Sequence, residues 1–146
     1  MRHTGSLTPS PWVTRFASRI TAGGEVLDLA CGSGRHARWL ASRGFRVEAV
    51  DRDAVALELL AGVPHLNTRE ADLEDGPWPY AGRHFDAIVV TNYLFRPRLP
   101  LLLTAPSPGK AFRWHVLASP YWYFPGCGIG MFSGERGGVG STRAGK

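Results

Sequence analysis

The chain has 146 residues, of which 44% are hydrophobic, and a formal net charge of +5. This suits one small domain with an apolar core and excludes a globally disordered chain. No apolar run reaches the roughly 20 residues that a membrane span requires, and no apolar signal segment follows the N-terminus. Since two cysteines do not suggest a disulfide framework either, we expect a cytoplasmic protein without a membrane partner.

Helical and strand patterns alternate from the N-terminal part onward. Residues 10–17 predict a short helix with Pro11 in its first turn, and Glu25–Leu29 predicts a buried strand. Residues 34–43 have apolar side chains at helical spacing and are followed by Gly44, which suits a C-cap.

The same alternation continues toward the middle of the chain. Residues 46–50 predict a second strand that ends at Asp51, and residues 53–60 predict a helix. Leu66–Glu70 predicts a weaker third strand, and residues 85–91 predict a buried fourth strand. Strands that alternate with helices are typical of an α/β fold with a parallel sheet.

Residues 105–146 differ in character from the rest of the chain. They hold nine of the 18 glycines, both lysines and a single acid, Glu135. We therefore predict a core domain in residues 1–104 and an atypical glycine-rich tail in residues 105–146. Two hypotheses stay open for this tail: a shifted reading frame or truncated end, and an extension whose packing the sequence does not reveal.

The excess positive charge lies mostly in this tail. Residues 1–104 contain 12 arginines and 11 acids, which nearly balance. No basic helix or arginine–aromatic stripe indicates a nucleic-acid interface. A small-molecule partner is therefore favoured over nucleic acid.

The most informative motif is a strand that runs into a glycine turn at residues 26–34. Asp28 lies four residues before Gly32, and Gly34 opens the following helix. Glycines let the backbone approach a ligand closely, which is typical of nucleotide-like cofactors at the carboxyl end of a parallel strand. The Asp28 carboxylate would repel a pyrophosphate but attract a cationic cofactor with an amino-acid tail, such as S-adenosylmethionine.

The run Asp28-Leu29-Ala30-Cys31-Gly32-Ser33-Gly34 resembles the D/E-x-x-x-G-x-G signature of class I S-adenosylmethionine-dependent methyltransferases. Residues 27–40 are most similar to the small tellurite-resistance-type methyltransferases, and the resemblance covers residues 10–104. It implies a Rossmann-like α/β sheet, incomplete here at its C-terminal strands because the tail does not match. It also implies direct displacement of the methyl group onto an acceptor, which we expect to be a small molecule.

Acids after the next two strands complete the candidate site. Asp51 can accept hydrogen bonds from ribose hydroxyls, as the resemblance also implies, while Asp53 suits the cap of the following helix. The resemblance further implies that Asp72 faces the adenine amino group and that Leu73 packs on the ring; the alternative is a solvated acidic loop. The candidate cofactor contacts are Asp28, Ala30, Gly32, Gly34, Asp51, Arg52, Asp72, Leu73 and Asn92.

No catalytic residue or metal site can be assigned from the sequence. Asn92 and Tyr93 follow the fourth strand where the acceptor is expected, but they differ from the Asn-Pro-Pro-Tyr box of amino-methylating relatives. We expect Cys31 to pack beside the cofactor rather than act as a nucleophile, and His36 to face solvent. The histidines lack metal-ligand spacing.

Two alternatives remain open. An NAD-binding Rossmann domain fits the glycine spacing and Asp51, but Asp28 and Asp72 argue against it. A non-catalytic remnant or interaction module that keeps the S-adenosylmethionine site fits the atypical tail. If the tail supplies no fifth strand, the fourth strand becomes an exposed edge, and we then expect self-association.

Overall fold

The computed structural model describes residues 7–91, 96–98, 101, 116–118 and 132–133. The helices in these ranges are α1 (Pro11–Phe16), α2 (Arg35–Ser42) and α3 (Ala54–Glu58), with short 3-10 turns at Ala17–Arg19 and Arg96–Arg98. The strands are β1 (Glu25–Leu29), β2 (Arg46–Asp51), β3 (Leu66–Glu70), β4 (Ala87–Val90), β5 (Val116–Ala118) and β6 (Phe132–Ser133). Within residues 7–91 the element boundaries match the predicted ones to about two residues, which is the usual uncertainty of helix ends.

One parallel sheet contains these strands in the order β3-β2-β1-β4-β5-β6. β1 lies between β2 and β4, with Leu29 opposite Val50 and Val90. Since all pairings are parallel, the carboxyl ends of β1, β2 and β3 meet at one edge of the sheet. The predicted Rossmann-like class is confirmed, and this edge is where such folds bind ligands.

Side chains alternate between the two faces of the sheet, and both faces are covered. On the first face, strand residues pack against the helices in a cluster that includes Val13, Val26, Leu40, Val47, Leu57 and Val89. On the second face they pack against loop residues in a cluster that includes Leu27, Val50, Leu73, Tyr80, Phe85 and Ile88. Burial on both faces explains why the central strands are almost continuously apolar in sequence.

Local sequence sets the start of each helix. Ser10 caps α1 and Asp53 caps α3, each through a side-chain oxygen that accepts hydrogen bonds from backbone N–H groups of the first turn. The predicted capping role of Asp53 is thus confirmed. α2 begins directly after Gly34, which has a φ of +75° and makes no side-chain cap.

The structure does not meet the condition under which β4 was expected to become an exposed edge. β5 pairs with β4, with Ile88 opposite Val116 and Val89 opposite Leu117. Because the backbone of β4 is paired within the chain, the expected self-association through this edge loses its basis. Both β5 and β6 come from residues 105–146, so this segment adds strands to the sheet although its sequence does not match the family pattern.

The C-terminal side of the sheet is nevertheless short. The resemblance implies three strands after β4, and the described residues contain two, of three and two residues. Within these ranges no helix combines the length and apolar character needed to cross a bilayer. The same ranges hold no group of three or more histidine, cysteine or acidic side chains placed to bind a metal ion.

Candidate cofactor site

The loop between β1 and α2 has an unusual backbone. Ala30, Gly32 and Gly34 all have positive φ angles, of 52°, 55° and 75°. Glycine adopts this conformation freely, whereas alanine costs roughly 1–2 kcal/mol there. Strain of this kind is concentrated at functional sites, and Ala30 directly follows the carboxyl end of β1. No sequence signal marks the conformation of Ala30.

Gly32 and Gly34 lack side chains for different reasons. A Cβ added to Gly32 would meet no heavy atom within 4 Å, so the space beside this residue is open. A Cβ added to Gly34 would lie 2.5 Å from Cδ2 of Leu60. Gly34 therefore serves the packing between the start of α2 and the residues after α3, and Gly32 offers the close approach to a ligand.

Backbone hydrogen bonds hold the loop in shape. The N–H of Gly32 donates to Oδ2 of Asp51 at 2.8 Å. The N–H of Cys31 donates to the carbonyl oxygen of Val50 at 3.0 Å, and the N–H of Gly34 donates to that of Cys31 at 2.9 Å. Both glycine N–H groups are thus engaged within the protein, and the loop offers a ligand open space rather than these two donors.

Asp28 is a buried carboxylate without a hydrogen-bond partner among the described residues. The residue is 1% exposed, and no group in the described ranges donates a hydrogen bond to either carboxylate oxygen. Burial raises its pKa from 3.8 to about 7; the N–H of Ala37 lowers it, the charge of Asp51 raises it, and the charge of Arg35 lowers it. The Ala37 N–H acts without meeting the geometry of a hydrogen bond, since no donor in the described part of the chain meets it.

An unpartnered buried carboxylate of this kind is destabilising unless something binds to it. Leaving a buried polar group without a partner costs about 1–3 kcal/mol, and more when the group is charged. A ligand with a positive group would supply the missing donors and favour the ionised form of Asp28. The structure therefore fits a cationic ligand at the carboxyl end of β1.

Asp51 joins two parts of the site. Its Oδ2 accepts the Gly32 N–H at 2.8 Å, and its Oδ1 accepts the Asp53 N–H at 2.9 Å. Each carboxylate oxygen can accept a second hydrogen bond, so the predicted contact with ribose hydroxyls remains available. The structure adds a role that the sequence did not indicate, since Asp51 also ties the glycine loop to β2.

We expect Asp51→Asn to destabilise the protein by about 1–2 kcal/mol, because the amide nitrogen cannot accept one of these two N–H groups. Binding of the cofactor should weaken at least about tenfold for the same reason. Urea unfolding and calorimetric titration of one sample measure both effects. Asp53→Asn is the matched control, since asparagine also caps helices. An unchanged unfolding free energy in Asp51→Asn would contradict the tie to the loop.

The other predicted contacts have varied surroundings. Asp72 is exposed, and its Oδ1 accepts the N–H of Glu74 at 2.9 Å, which shapes the acidic loop. Leu73 is 6% exposed and packs in the second-face cluster, so most of its surface contacts the core. Arg52 is exposed. Asn92 lies outside the described residues.

Cys31 is suited to packing rather than to nucleophilic chemistry. It is a buried free thiol in the glycine loop. Burial raises its pKa, and the charges of Asp28 and Asp51 raise it further. A thiol that resists ionisation is a poor nucleophile, which agrees with the packing role predicted for Cys31.

His36 is buried, which corrects the prediction that it faces solvent. It is 2% exposed, and its Nε2 accepts a hydrogen bond from the N–H of Ser10 at 3.1 Å. Burial lowers its pKa from 6.5 to about 4, and the charge of Arg35 lowers it further. No spacing motif marks this contact in the sequence, because the two residues are 26 positions apart.

The sequence model of a family described as "Methyltransferase domain" matches residues 26–104, which is more than half of the chain. The chain belongs to this methyltransferase domain family. The matched region includes β1, the glycine loop, Asp51 and β4. The class I methyltransferase resemblance predicted from residues 28–34 is thereby confirmed.

Solved structures of other methyltransferases share the fold of this domain. TehB from Haemophilus influenzae is 26% identical, with a TM-score of 0.52, over 63% of this chain and 34% of that chain. A methyltransferase from Mesorhizobium loti is 21% identical, with a TM-score of 0.55, over 71% and 52%. One from Thiobacillus denitrificans, in complex with S-adenosyl-L-homocysteine, is 17% identical, with a TM-score of 0.54, over 71% and 47%.

This methyltransferase domain spans between about one third and one half of the length of these three proteins. The match to TehB agrees with the predicted similarity to tellurite-resistance-type methyltransferases. The other two likenesses concern the fold alone. No match was found among curated proteins.

Proposed function

We propose that this chain binds S-adenosylmethionine at the carboxyl ends of β1 and β2 and transfers its methyl group to a small-molecule acceptor. The observation that carries the proposal is the buried carboxylate of Asp28, which has no partner among the described residues. It lies on the strand that leads to the open space beside Gly32. A cationic amino-acid tail supplies the donors that Asp28 lacks, whereas a pyrophosphate would be repelled.

The residues around Asp28 have the chemistry to hold the rest of the cofactor. Asp51 would accept hydrogen bonds from the ribose hydroxyls with the lone pairs that remain free of its backbone contacts. The exposed carboxylate of Asp72 and the small accessible part of the buried Leu73 side chain would contact the adenine. We assign Ala30 and Arg52 to the lining of the cofactor site; a cofactor contact by Asn92, which lies outside the described residues, stays a prediction.

The bound cofactor supplies an activated methyl group for direct displacement. The protein's own task is to bind, to orient the acceptor in line with the methyl group and to exclude water. Correct orientation alone can account for about 7 kcal/mol or more of a barrier. A nucleophilic acceptor requires no acid or base from the protein, so the site can function with binding residues alone.

Calorimetric titration of the full chain with S-adenosylhomocysteine tests the binding step. We expect micromolar affinity, with no comparable binding of NAD because the Asp28 carboxylate opposes a pyrophosphate. Transfer of a radiolabelled methyl group to a panel containing tellurite and small thiols tests the reaction. Tight binding of NAD, or no binding of S-adenosylhomocysteine by folded protein, would overturn the proposal.

A second candidate function is cofactor binding without transfer. It is favoured by the two short strands that follow β4, of three and two residues. These strands stand where the acceptor wall is expected from the resemblance. Binding of S-adenosylhomocysteine with no methyl transfer to any acceptor of the panel would favour this candidate.

We also propose that residues 1–104 form the cofactor-binding core and that residues 105–146 form a separate tail segment. The family match ends at residue 104, which supports this boundary. The tail supports the core by adding β5 and β6 to the sheet beside β4.

A further inference from the structure

Two hydrogen bonds hold the N-terminal segment against the start of α2. The N–H of Ser10 donates to Nε2 of His36 at 3.1 Å, and Nη1 of Arg35 donates to the carbonyl oxygen of Thr8 at 3.4 Å. Arg35 and His36 are the first two residues of α2 and follow the glycine loop directly. The helix that begins at the cofactor loop therefore also holds residues 8–10.

Apolar packing continues this contact beyond the hydrogen bonds. Val13 of α1 is fully buried in the cluster that contains Cys31 of the glycine loop and Ala37 of α2. His36 itself is 2% exposed, so residues 8–13 cover the first turn of α2. The N-terminal segment thus packs behind the loop that we assign to the cofactor.

The same contact involves two ionisable side chains, those of His36 and Arg35. Nε2 of His36 accepts a hydrogen bond only when it carries no proton, and burial together with the nearby Arg35 favours that neutral form. Arg35 is held by Thr8 and also acts on the buried carboxylate of Asp28. Docking of residues 8–13 therefore holds one end of the Arg35 side chain beside the start of α2.

We propose that His36 is a positioning residue, which holds residues 8–13 against the start of α2 through Ser10 and thereby raises the affinity for S-adenosylmethionine. This inference rests on the proposed function. When the segment undocks, a smaller fraction of the protein is competent to bind, and the apparent affinity falls by that fraction.

The substitution Ser10→Pro removes the N–H donor and leaves His36 unchanged. The backbone of Ser10, with φ −57° and ψ 134°, already suits proline. Because Ser10 also caps α1, Ser10→Ala is the matched control that removes the cap and keeps the N–H. We expect S-adenosylhomocysteine to bind Ser10→Pro about tenfold more weakly than Ser10→Ala in calorimetric titration. In the ligand-free protein, hydrogen exchange of residues 8–16 should be faster in Ser10→Pro than in Ser10→Ala.

Substitutions of His36 distinguish the hydrogen bond that its side chain accepts from the packing of the side chain itself. The side-chain oxygen of glutamine can accept the Ser10 N–H, whereas leucine has no acceptor. We expect His36→Gln to bind S-adenosylhomocysteine within about threefold of the wild type, and His36→Leu to be weakened about as much as Ser10→Pro. A purely apolar packing role would give the opposite order.

Calorimetric titration and hydrogen exchange together distinguish the ways in which the positioning role of His36 could be contradicted. Equal affinity of Ser10→Pro and Ser10→Ala, with faster exchange in the former, would overturn the positioning role. Equal exchange in both variants would overturn the docking. If the folded wild type binds no S-adenosylhomocysteine, the proposed function fails and the link to affinity fails with it, while hydrogen exchange still reports the contact.

Discussion

Asp28→Asn is expected to weaken binding of S-adenosylhomocysteine by at least about 100-fold and to stabilise the ligand-free protein above pH 7. The loss of affinity follows because asparagine carries no negative charge to pair with the ammonium group of the ligand. The gain in stability follows because the wild-type carboxylate is buried without a partner among the described residues. One substitution should therefore move binding and stability in opposite directions.

The pH dependence of this effect has a definite sign. The pKa of Asp28 is raised from 3.8 to about 7 by burial, so the folded protein holds the proton more tightly than the unfolded chain. The contribution of Asp28 to stability is therefore fully present below pH 3.8 and is lost as pH rises through about 7. The difference in unfolding free energy between Asp28→Asn and the wild type should grow over this range, by at most about 4 kcal/mol.

Urea unfolding of both proteins between about pH 4 and pH 8 measures this difference. Asp53→Asn is the matched control, because it removes an exposed carboxylate and keeps the helix cap. It should change neither the pH profile nor the affinity. A difference between Asp28→Asn and the wild type that stays constant with pH would mean that Asp28 is ionised in the ligand-free protein at neutral pH.

Gly34→Ala is expected to lower the free energy of unfolding by about 3 kcal/mol or more. Its Cβ would lie 2.5 Å from Cδ2 of Leu60, and the residue has a φ of +75°, so a steric clash adds to backbone strain. Gly32→Ala has the same kind of strain without the clash and should cost only about 1–2 kcal/mol. Urea unfolding of the two variants compares them directly.

The clash can be isolated with a second substitution. Leu60→Ala leaves a cavity of its own, but in the Gly34→Ala background it also removes the atoms that the new Cβ meets. The double variant should therefore be more stable than the sum of the single effects predicts, by about 1 kcal/mol or more. Equal destabilisation by Gly34→Ala and Gly32→Ala would contradict the packing role of Gly34. Gly32→Ala should weaken cofactor binding more than Gly34→Ala does, although it destabilises the protein less, because only Gly32 borders open space.

Most of the sheet could be predicted from the sequence because its signals are local. β1, β2 and β4 are short apolar runs bounded by turn residues, and the structure places them in the centre of the sheet. The capping role of Asp53 was also accessible, and a cofactor contact was predicted for Asp28, since a carboxylate before a helix and a carboxylate before a glycine turn are local patterns. The short strands β5 and β6 carry no comparable pattern, because pairing over two or three residues depends on the neighbouring strand.

Three features of the site were decided by contacts between residues that are distant in sequence. Gly34 needs its missing side chain because Leu60 packs there, and His36 is buried because Ser10 approaches it. Asp51 ties the glycine loop to β2 across 19 positions. Sequence spacing indicated a ligand for Asp51 and for the glycines, but it could not show these second roles.

The sequence by itself therefore determined the α/β class and the methyltransferase family, and it predicted the chemistry of a cofactor site. Periodicity, turn residues and a carboxylate–glycine motif each extend over a few neighbouring residues, so they are visible in the sequence without the tertiary fold. The tertiary structure alone decided three features around the site: the burial of Asp28 without a hydrogen-bond partner in the part of the chain that is described, the docking of Ser10 on His36, and the pairing of β5 with β4. Each depends on burial and on hydrogen bonds between distant segments, and these exist only once the sheet has brought those segments together.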